Sequence, residues 1–226
     1  MTQLTPLDAP RSLAEDAADQ VREQILSGGF AQGEHLVEAK IAEQLGISRG
    51  PVREAFKLLR AEGLLQEEPR RGTFVVRMAP HDVREIYGLR AAIEGRAARM
   101  VATAGDPVVL DQLATKVDDI GRAVGGGDAA SVFQADLAFH ETLVRLAGNS
   151  RLTEVFDRYV PTLRALLRLD EHVYRSLDDI ALEHRPLLEA IQAGDAGRAA
   201  TLAEEHCDHA GDLIAGYVER TSEPAE

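Results

Sequence analysis

Tryptophan is absent from this 226-residue chain, aromatic residues make up only 4% of it, and it has a single cysteine. One cysteine excludes an intramolecular disulfide framework and a cysteine-rich zinc site, and it fits a reducing cytoplasm. No apolar run approaches the roughly 20 residues a bilayer-spanning helix requires, so no membrane partner is expected. The opening MTQLTPLDAPRSLAEDAADQ lacks the basic start and apolar stretch of a secretory signal. Internal repeats and low-complexity segments are missing as well. What these absences leave is a soluble, cytoplasmic chain, long enough for two domains with a core in each.

The net charge of −13 opposes contact with a polyanion until its distribution is followed along the chain. Residues 78–226 hold 15 Lys and Arg against 26 Asp and Glu, whereas residues 1–77 hold 10 against 12. Within that near-neutral part, residues 48–77 are locally basic, with 7 against 4. The acidic remainder would repel nucleic acid and so suppress non-specific binding.

The basic segment coincides with two successive helical periods in LVEAKIAEQLGISRGPVREAFKLLR, residues 36–60. Leu36, Ile41, Ala42 and Leu45 form the first stripe, which stops at Gly46, a residue suited to the left-handed turn that closes a helix. Ile47 reads as a buried turn residue and Ser48 as the N-cap of the next helix. Val52, Ala55, Phe56 and Leu59 then face inward, while Arg49, Arg53, Lys57 and Arg60 point away from that stripe. Pro51 falls in the first turn, where its missing N–H does little harm. Leu64, Leu65 and the run EEPRRGTFVV read as strand, turn and strand, with Arg70, Arg71 and Gly72 at the tip. Two amphipathic helices joined at a glycine also occur in bundles with solvated basic faces. The hairpin that follows favours a winged helix-turn-helix, whose second helix meets base edges and phosphates.

An N-terminal helix is expected over residues 13–27, with Ser12 and Glu15 as a capping box and Gly28 and Gly29 ending it. The DNA-binding domain spans 11–77 and residues 78–81 read as a linker. Residues 82–220 then read as six helices: about 82–104; from Asp106–Pro107 to Gly125–Gly127; from Asp128 to Gly148–Asn149; 151–170 with a kink at Pro161; one capped by Ser176 with Asp179; and one capped by Asp195. No strand pattern intervenes, so the fold class is mainly α, a winged helix-turn-helix followed by an all-α six-helix bundle. Residues 221–226 read as a disordered tail.

Asp136 and His140 are four residues apart and project from one helix face beside Phe133, Leu137 and Leu143. A carboxylate and an imidazole at the edge of a buried stripe need compensation, and a metal ion is one way to supply it. His184 and His206 lie on the last two helices where they can turn inward, although His209 competes with His206 and Pro186 follows His184 closely. One carboxylate and three imidazoles suit zinc, nickel or manganese better than calcium or magnesium. A local Asp–His hydrogen bond explains the spacing equally, so spacing alone does not decide. His35, His81 and His172 read as surface residues.

The motifs LGISRGPVREAFKLLRAEGLL and RRGTFVV, with YGLRAAIEGRAA, DLAFHETLVRLAGNSRL and EHRPLLEAIQAGD, carry a resemblance. The chain resembles the GntR superfamily of bacterial transcription regulators, in its FadR-like branch with a FadR C-terminal domain. Six helices after the linker look more like the shorter VanR-like group. The resemblance implies a homodimer on double-stranded operator DNA, with Ser48, Arg49 and Arg53 in contact and Gly72 letting the wing approach the minor groove. It implies a metal held by Asp136, His140, His184 and His206, selecting His206 over His209, and a small organic acid as effector. Arg90 matches a position where relatives place a basic residue near a carboxylate effector, yet it also reads as a surface salt bridge with Glu94. Asn149 is a further effector candidate or a helix C-cap. Gly50 departs from the threonine common in relatives, removing a phosphate contact. A regulator that relieves repression on binding its ligand is the expectation; a metal sensor and a metalloenzyme fused to a DNA-binding module are the alternatives.

Overall fold

The computed structural model describes residues 12–26, 29–167 and 173–222. Contacts divide the chain into two units, Met1–Arg77 and Met78–Glu226. No described helix is long and apolar enough to cross a membrane.

In the first unit, α1 (Leu13–Leu26) starts from a reciprocal cap. The Ser12 N–H donates to Glu15 Oε2 at 2.8 Å, and the Glu15 N–H donates to Ser12 Oγ at 3.2 Å. The rest of its expected end, Ser27 and Gly28, lies outside the described residues. α2 (Glu38–Leu45) closes on Gly46, whose φ of 66° is the left-handed conformation glycine adopts without strain. α3 (Arg49–Ala61) begins after Ser48, which has extended N-cap dihedrals but makes no side-chain capping bond. Val52, Ala55, Phe56 and Leu59 are fully buried, as their period predicts. Ile47, expected to be buried, is only partly so, as is Leu45.

The wing is a three-stranded antiparallel sheet in the order β1 (His35–Leu36), β3 (Gly72–Val75), β2 (Leu65–Glu68). Leu36, assigned to the first helical stripe from its spacing, belongs instead to β1 and pairs with Thr73. Leu64 precedes β2 rather than opening it.

The second unit contains six described helices: α4 (Pro80–Ala104), α5 (Pro107–Gly126), α6 (Ala129–Leu146), α7 (Ser150–Leu166), α8 (Leu177–Gln192) and α9 (Ala196–Ser222). Their starts follow the sequence signals. Asp106, Asp128 and Ser176 each accept a backbone N–H from the first turn of the helix they precede. Three boundaries differ. The expected linker 78–81 is shorter, because Pro80 is the first residue of α4, where its lack of an N–H is harmless. The expected tail from residue 221 is helical through Ser222, and residues 223–226 lie outside the described residues. Asn149 is the N-cap of α7, its side-chain oxygen accepting from the N–H groups of Arg151 and Leu152 at 3.1 and 3.3 Å, and is not a C-cap. Both α7 and α8 continue through their internal prolines, Pro161 and Pro186.

The core joins all six helices, with Tyr87, Phe139, Phe156, Leu187 and Ile214 among its largest fully buried side chains. α4 and α9 approach closely because Gly211 lies against Tyr87. A Cβ on Gly211 would stand 2.6 Å from Tyr87 Cβ, whereas a Cβ on Gly95 would meet only the exposed side chain of Glu204. Gly211→Ala should therefore lower stability by about 1–3 kcal/mol through overpacking. Gly95→Ala should be neutral or stabilising by up to about 1 kcal/mol through helix propensity. Urea unfolding of the two variants checks this: equal midpoints would contradict the close approach.

Candidate functional site

On the first unit, the side chains of Arg49, Arg53 and Lys57 stand on the open face of α3, all more than half exposed. Ser48 is exposed at the start of the same helix. A carboxylate that the sequence reading overlooked organises this face. Glu38, in the first turn of α2, takes a two-pronged hydrogen bond from Arg53 at 3.2 and 3.0 Å and lies 3.8 Å from Arg49. The Arg53 guanidinium, followed by the Arg49 charge, holds the Glu38 pKa below its ordinary value. The pair is fifteen positions apart, so no local periodicity announces it.

At the wing, Arg70, Arg71 and Gly72 are exposed, and Arg70 adopts a positive φ of 64°. Arg71 pairs with Glu68 and lies over the Phe74 ring at 5.2 Å, while His35 stacks on the same ring. Gly72 has a structural reason of its own: its φ is 105°, and a Cβ there would reach within 2.5 Å of the His35 ring.

In the second unit, the four residues expected to bind metal converge. One ligand atom from each of Asp136, His140, His184 and His206 lies within 4.8 Å of the others. Helical spacing places Asp136 and His140 on one face of α6; α8 supplies His184 and α9 supplies His206. Asp136, His140 and His184 are buried, and the His206 side chain is 8% exposed, against 57% for His209.

Hydrogen bonds fix which ring nitrogens point inward. His140 Nδ1 is 2.5 Å from Glu94 Oε2, and His184 Nδ1 is 2.7 Å from the Ile180 carbonyl oxygen. Both partners can only accept, so each Nδ1 carries the proton and each Nε2 of the neutral ring presents a lone pair. Those lone pairs meet. His184 Nε2 and His206 Nε2 lie 3.2 and 3.3 Å from His140 Nε2, and Asp136 Oδ1 lies 3.1 Å from His184 Nε2. A cation among these atoms would relieve their mutual repulsion.

The electrostatics agree. Burial and the Arg90 charge oppose protonation of His140, but Glu94 and Asp136 outweigh them and raise its pKa. Burial likewise acts to raise the Asp136 pKa, yet His140 and His184 hold it well below the ordinary value. Burial lowers His206 to about 4, opposed by Glu183 and reinforced by the His184, His140 and Arg90 charges.

The expected salt bridge between Arg90 and Glu94 is present but buried, not at the surface. Its side chain is 2% exposed, and its Nε donates to Glu94 Oε1 at 2.6 Å. Arg90, Glu94 and His140 thus form a buried chain, and Arg90 Nη2 remains a buried donor without a hydrogen-bond partner among the described residues.

Comparison with known proteins identifies the family of both units. Residues 13–75 match the model for "Bacterial regulatory proteins, gntR family", and residues 85–209 match the FCD domain. The chain belongs to the GntR family of transcription regulators, with an FCD domain as its helical part, and is a DNA-binding regulator rather than an enzyme. It is 32% identical to the probable D-xylose utilization operon transcriptional repressor of Paenarthrobacter nicotinovorans, over 93% of this chain and 89% of that relative. It is 29% identical to the gluconate operon transcriptional repressor of Bacillus subtilis, over 79% and 75%. The crystal structure of a putative GntR transcriptional regulator from Rhodococcus sp. RHA1 is similar at a TM-score of 0.67 and 26% identity, covering 91% of this chain and 99% of that one.

Arg49→Ala and Arg53→Ala should each abolish binding to an operator selected from random duplexes by the unaltered chain, with unfolding unchanged. A bidentate arginine–guanine contact is worth about 1–3 kcal/mol of discrimination, and phosphate contacts add to it. Glu94→Ala should destabilise the helical unit by about 3–5 kcal/mol, because it leaves the Arg90 guanidinium buried and unpaired. A urea midpoint unchanged by Glu94→Ala would contradict the buried pairing.

Proposed function

We propose that this chain is a cytoplasmic, homodimeric repressor whose helical unit binds one divalent transition metal together with a small organic acid, and that the acid releases it from operator DNA. The observation that carries this reading is the convergence of Asp136, His140, His184 and His206, with one ligand atom of each within 4.8 Å of the others. The charge around that point supports it. One guanidinium, Arg90, stands against three carboxylates, Glu94, Asp136 and Glu183, leaving two negative charges that one divalent cation would balance. Zinc is the first choice for this donor set, with nickel and manganese as alternatives.

An ion held by these residues would supply Lewis-acidic coordination positions to an organic acid's carboxylate. Arg90 Nη2 is the donor this reading assigns to that acid, since its Nε is engaged by Glu94 while Nη2 has no partner. Asn149 is left to the cap of α7, which already uses its side-chain oxygen. On DNA, Ser48, Arg49, Arg53 and Lys57 would enter a major groove, and Arg70, Arg71 and Gly72 would follow the backbone into the adjacent minor groove. The dimer would engage half-sites about one helical turn apart, roughly 34 Å. To release the operator, the acid must prefer one state by a few kcal/mol, on the order of 3–5. The D-xylose and gluconate operon relatives, both named as repressors, support repression as the direction of control.

Four protein ligands complete a tetrahedral shell by themselves. This favours a second reading in which the ion is the signal, unless the coordination expands beyond four. Operator affinity measured on chelated protein, on zinc-, nickel- or manganese-loaded protein, and on loaded protein with a panel of hydroxy acids including gluconate separates the two. Release by an acid on loaded protein alone is the expected result. Release by metal without acid would establish the sensor, and equal affinity in all three states would overturn both.

A further inference from the structure

The three histidines are not held alike. His140 and His184 have their outer nitrogens bonded inside the bundle, to Glu94 and to the Ile180 carbonyl. His206 does not: its Nδ1 is buried and makes no aligned hydrogen bond, although Glu183 Oε2 lies 3.2 Å away. Glu183 precedes His184 on α8 and has three neighbours at its carboxylate. Oε2 faces His206 and also accepts from the Tyr174 hydroxyl at 3.2 Å, while Oε1 is 3.6 Å from His209 Nε2. It borders a depression of about 500 Å³ lined also by Val173, Arg175 and Leu213.

We infer that Glu183 is a positioning residue for the metal centre: its carboxylate takes the Nδ1–H of His206 and so directs the Nε2 lone pair toward Asp136, His140 and His184. The inference rests on the metal-binding reading above and adds to it the group that holds its outermost ligand. The physical reason is the requirement common to imidazole ligands. A ring that coordinates through one nitrogen is fixed in tautomer and orientation by an acceptor on the other, and the acceptor also makes the ligating nitrogen more basic. Glu94 and the Ile180 carbonyl meet that requirement for the inner two rings. His206, the least buried of the three, stacks on His140 at 16° with 5.1 Å between centroids, an arrangement that constrains the ring plane but not which nitrogen is protonated. Glu183 supplies the missing constraint, and the Tyr174 hydroxyl donates to the same carboxylate oxygen.

Glu183 can be changed without burying an unpaired charge, since its side chain is 26% exposed, whereas Glu94 cannot. The test uses the full chain as wild type, Glu183→Ala and Glu183→Gln. Zinc affinity is measured by competition with a chromophoric chelator, and the imidazole N–H protons of the zinc-loaded protein are recorded by NMR. The expected result is a loss of affinity of about 10–100-fold in Glu183→Ala, with Glu183→Gln within about 3-fold of wild type because its amide oxygen still accepts. One of three protected Nδ1–H resonances, that of His206, should disappear in Glu183→Ala and persist in Glu183→Gln. Wild-type affinity and an unchanged His206 resonance in Glu183→Ala would overturn the positioning role while leaving the metal site standing. A wild-type chain that takes up no zinc, nickel or manganese would overturn both.

Discussion

Four electron-pair donors held within 4.8 Å of one another in the interior of a helical bundle repel each other unless a positive charge sits among them. The helical unit is arranged around that constraint. The bundle cannot relieve it by rotating the rings, because the outer nitrogens of His140 and His184 are tied to acceptors that fix both orientation and tautomer. Against its burial and the Arg90 charge, the neighbouring carboxylates Glu94 and Asp136 raise the His140 pKa. An ion held by the proposed ligands would compete with protons for the same four atoms, so its affinity would fall as acidity rises.

Sustaining the arrangement has a cost that falls on α4. Arg90 and Glu94 are both removed from water to provide the carboxylate that orients His140. A buried ion pair of this kind contributes little net stability compared with apolar packing of the same volume, so its presence points to a task other than stability. Through one carboxylate the pair joins a guanidinium nitrogen that has no hydrogen-bond partner among the described residues to His140, a proposed metal ligand. The first unit uses a milder version of the same device. Glu38 grips Arg53 at the surface, where screening leaves little energy in the pair but the arginine's direction is still set.

Much of this was legible from the chain because it depends on period. Val52, Ala55, Phe56 and Leu59 are buried where a 3.6-residue repeat puts them, and Asp136 and His140 share a face for the same reason. Capping residues located the helix starts of the bundle, since Asp106, Asp128 and Ser176 each do the local work their side chains are suited to. What stayed hidden depends on partners distant in sequence. The two-residue strand β1 is too short to show alternation, and only pairing with β3 defines it. Arg90 and Glu94 announce a helical ion pair by spacing, but whether water reaches them depends on the neighbouring helices, with Gly211 of α9 lying against Tyr87 of the same α4. Asn149 reads as an end by spacing but is a beginning: Gly148, at a φ of 68°, closes α6, and the next residue caps α7, so one position separates the two. Spacing alone leaves His206 and His209 level and the family resemblance selects His206; the packing of α9 turns His206 inward and leaves His209 in solvent.

The account stands on whether the four donors hold an ion. Diffraction data collected on either side of the zinc, nickel and manganese absorption edges, from crystals of protein purified without added metal, test this most directly. The account predicts a single anomalous peak in each protomer, within coordination distance of Asp136 Oδ1 and of the Nε2 atoms of His140, His184 and His206. Density for a water molecule at that point, with no anomalous signal at any of the edges and none after soaking in the three metals, would contradict it.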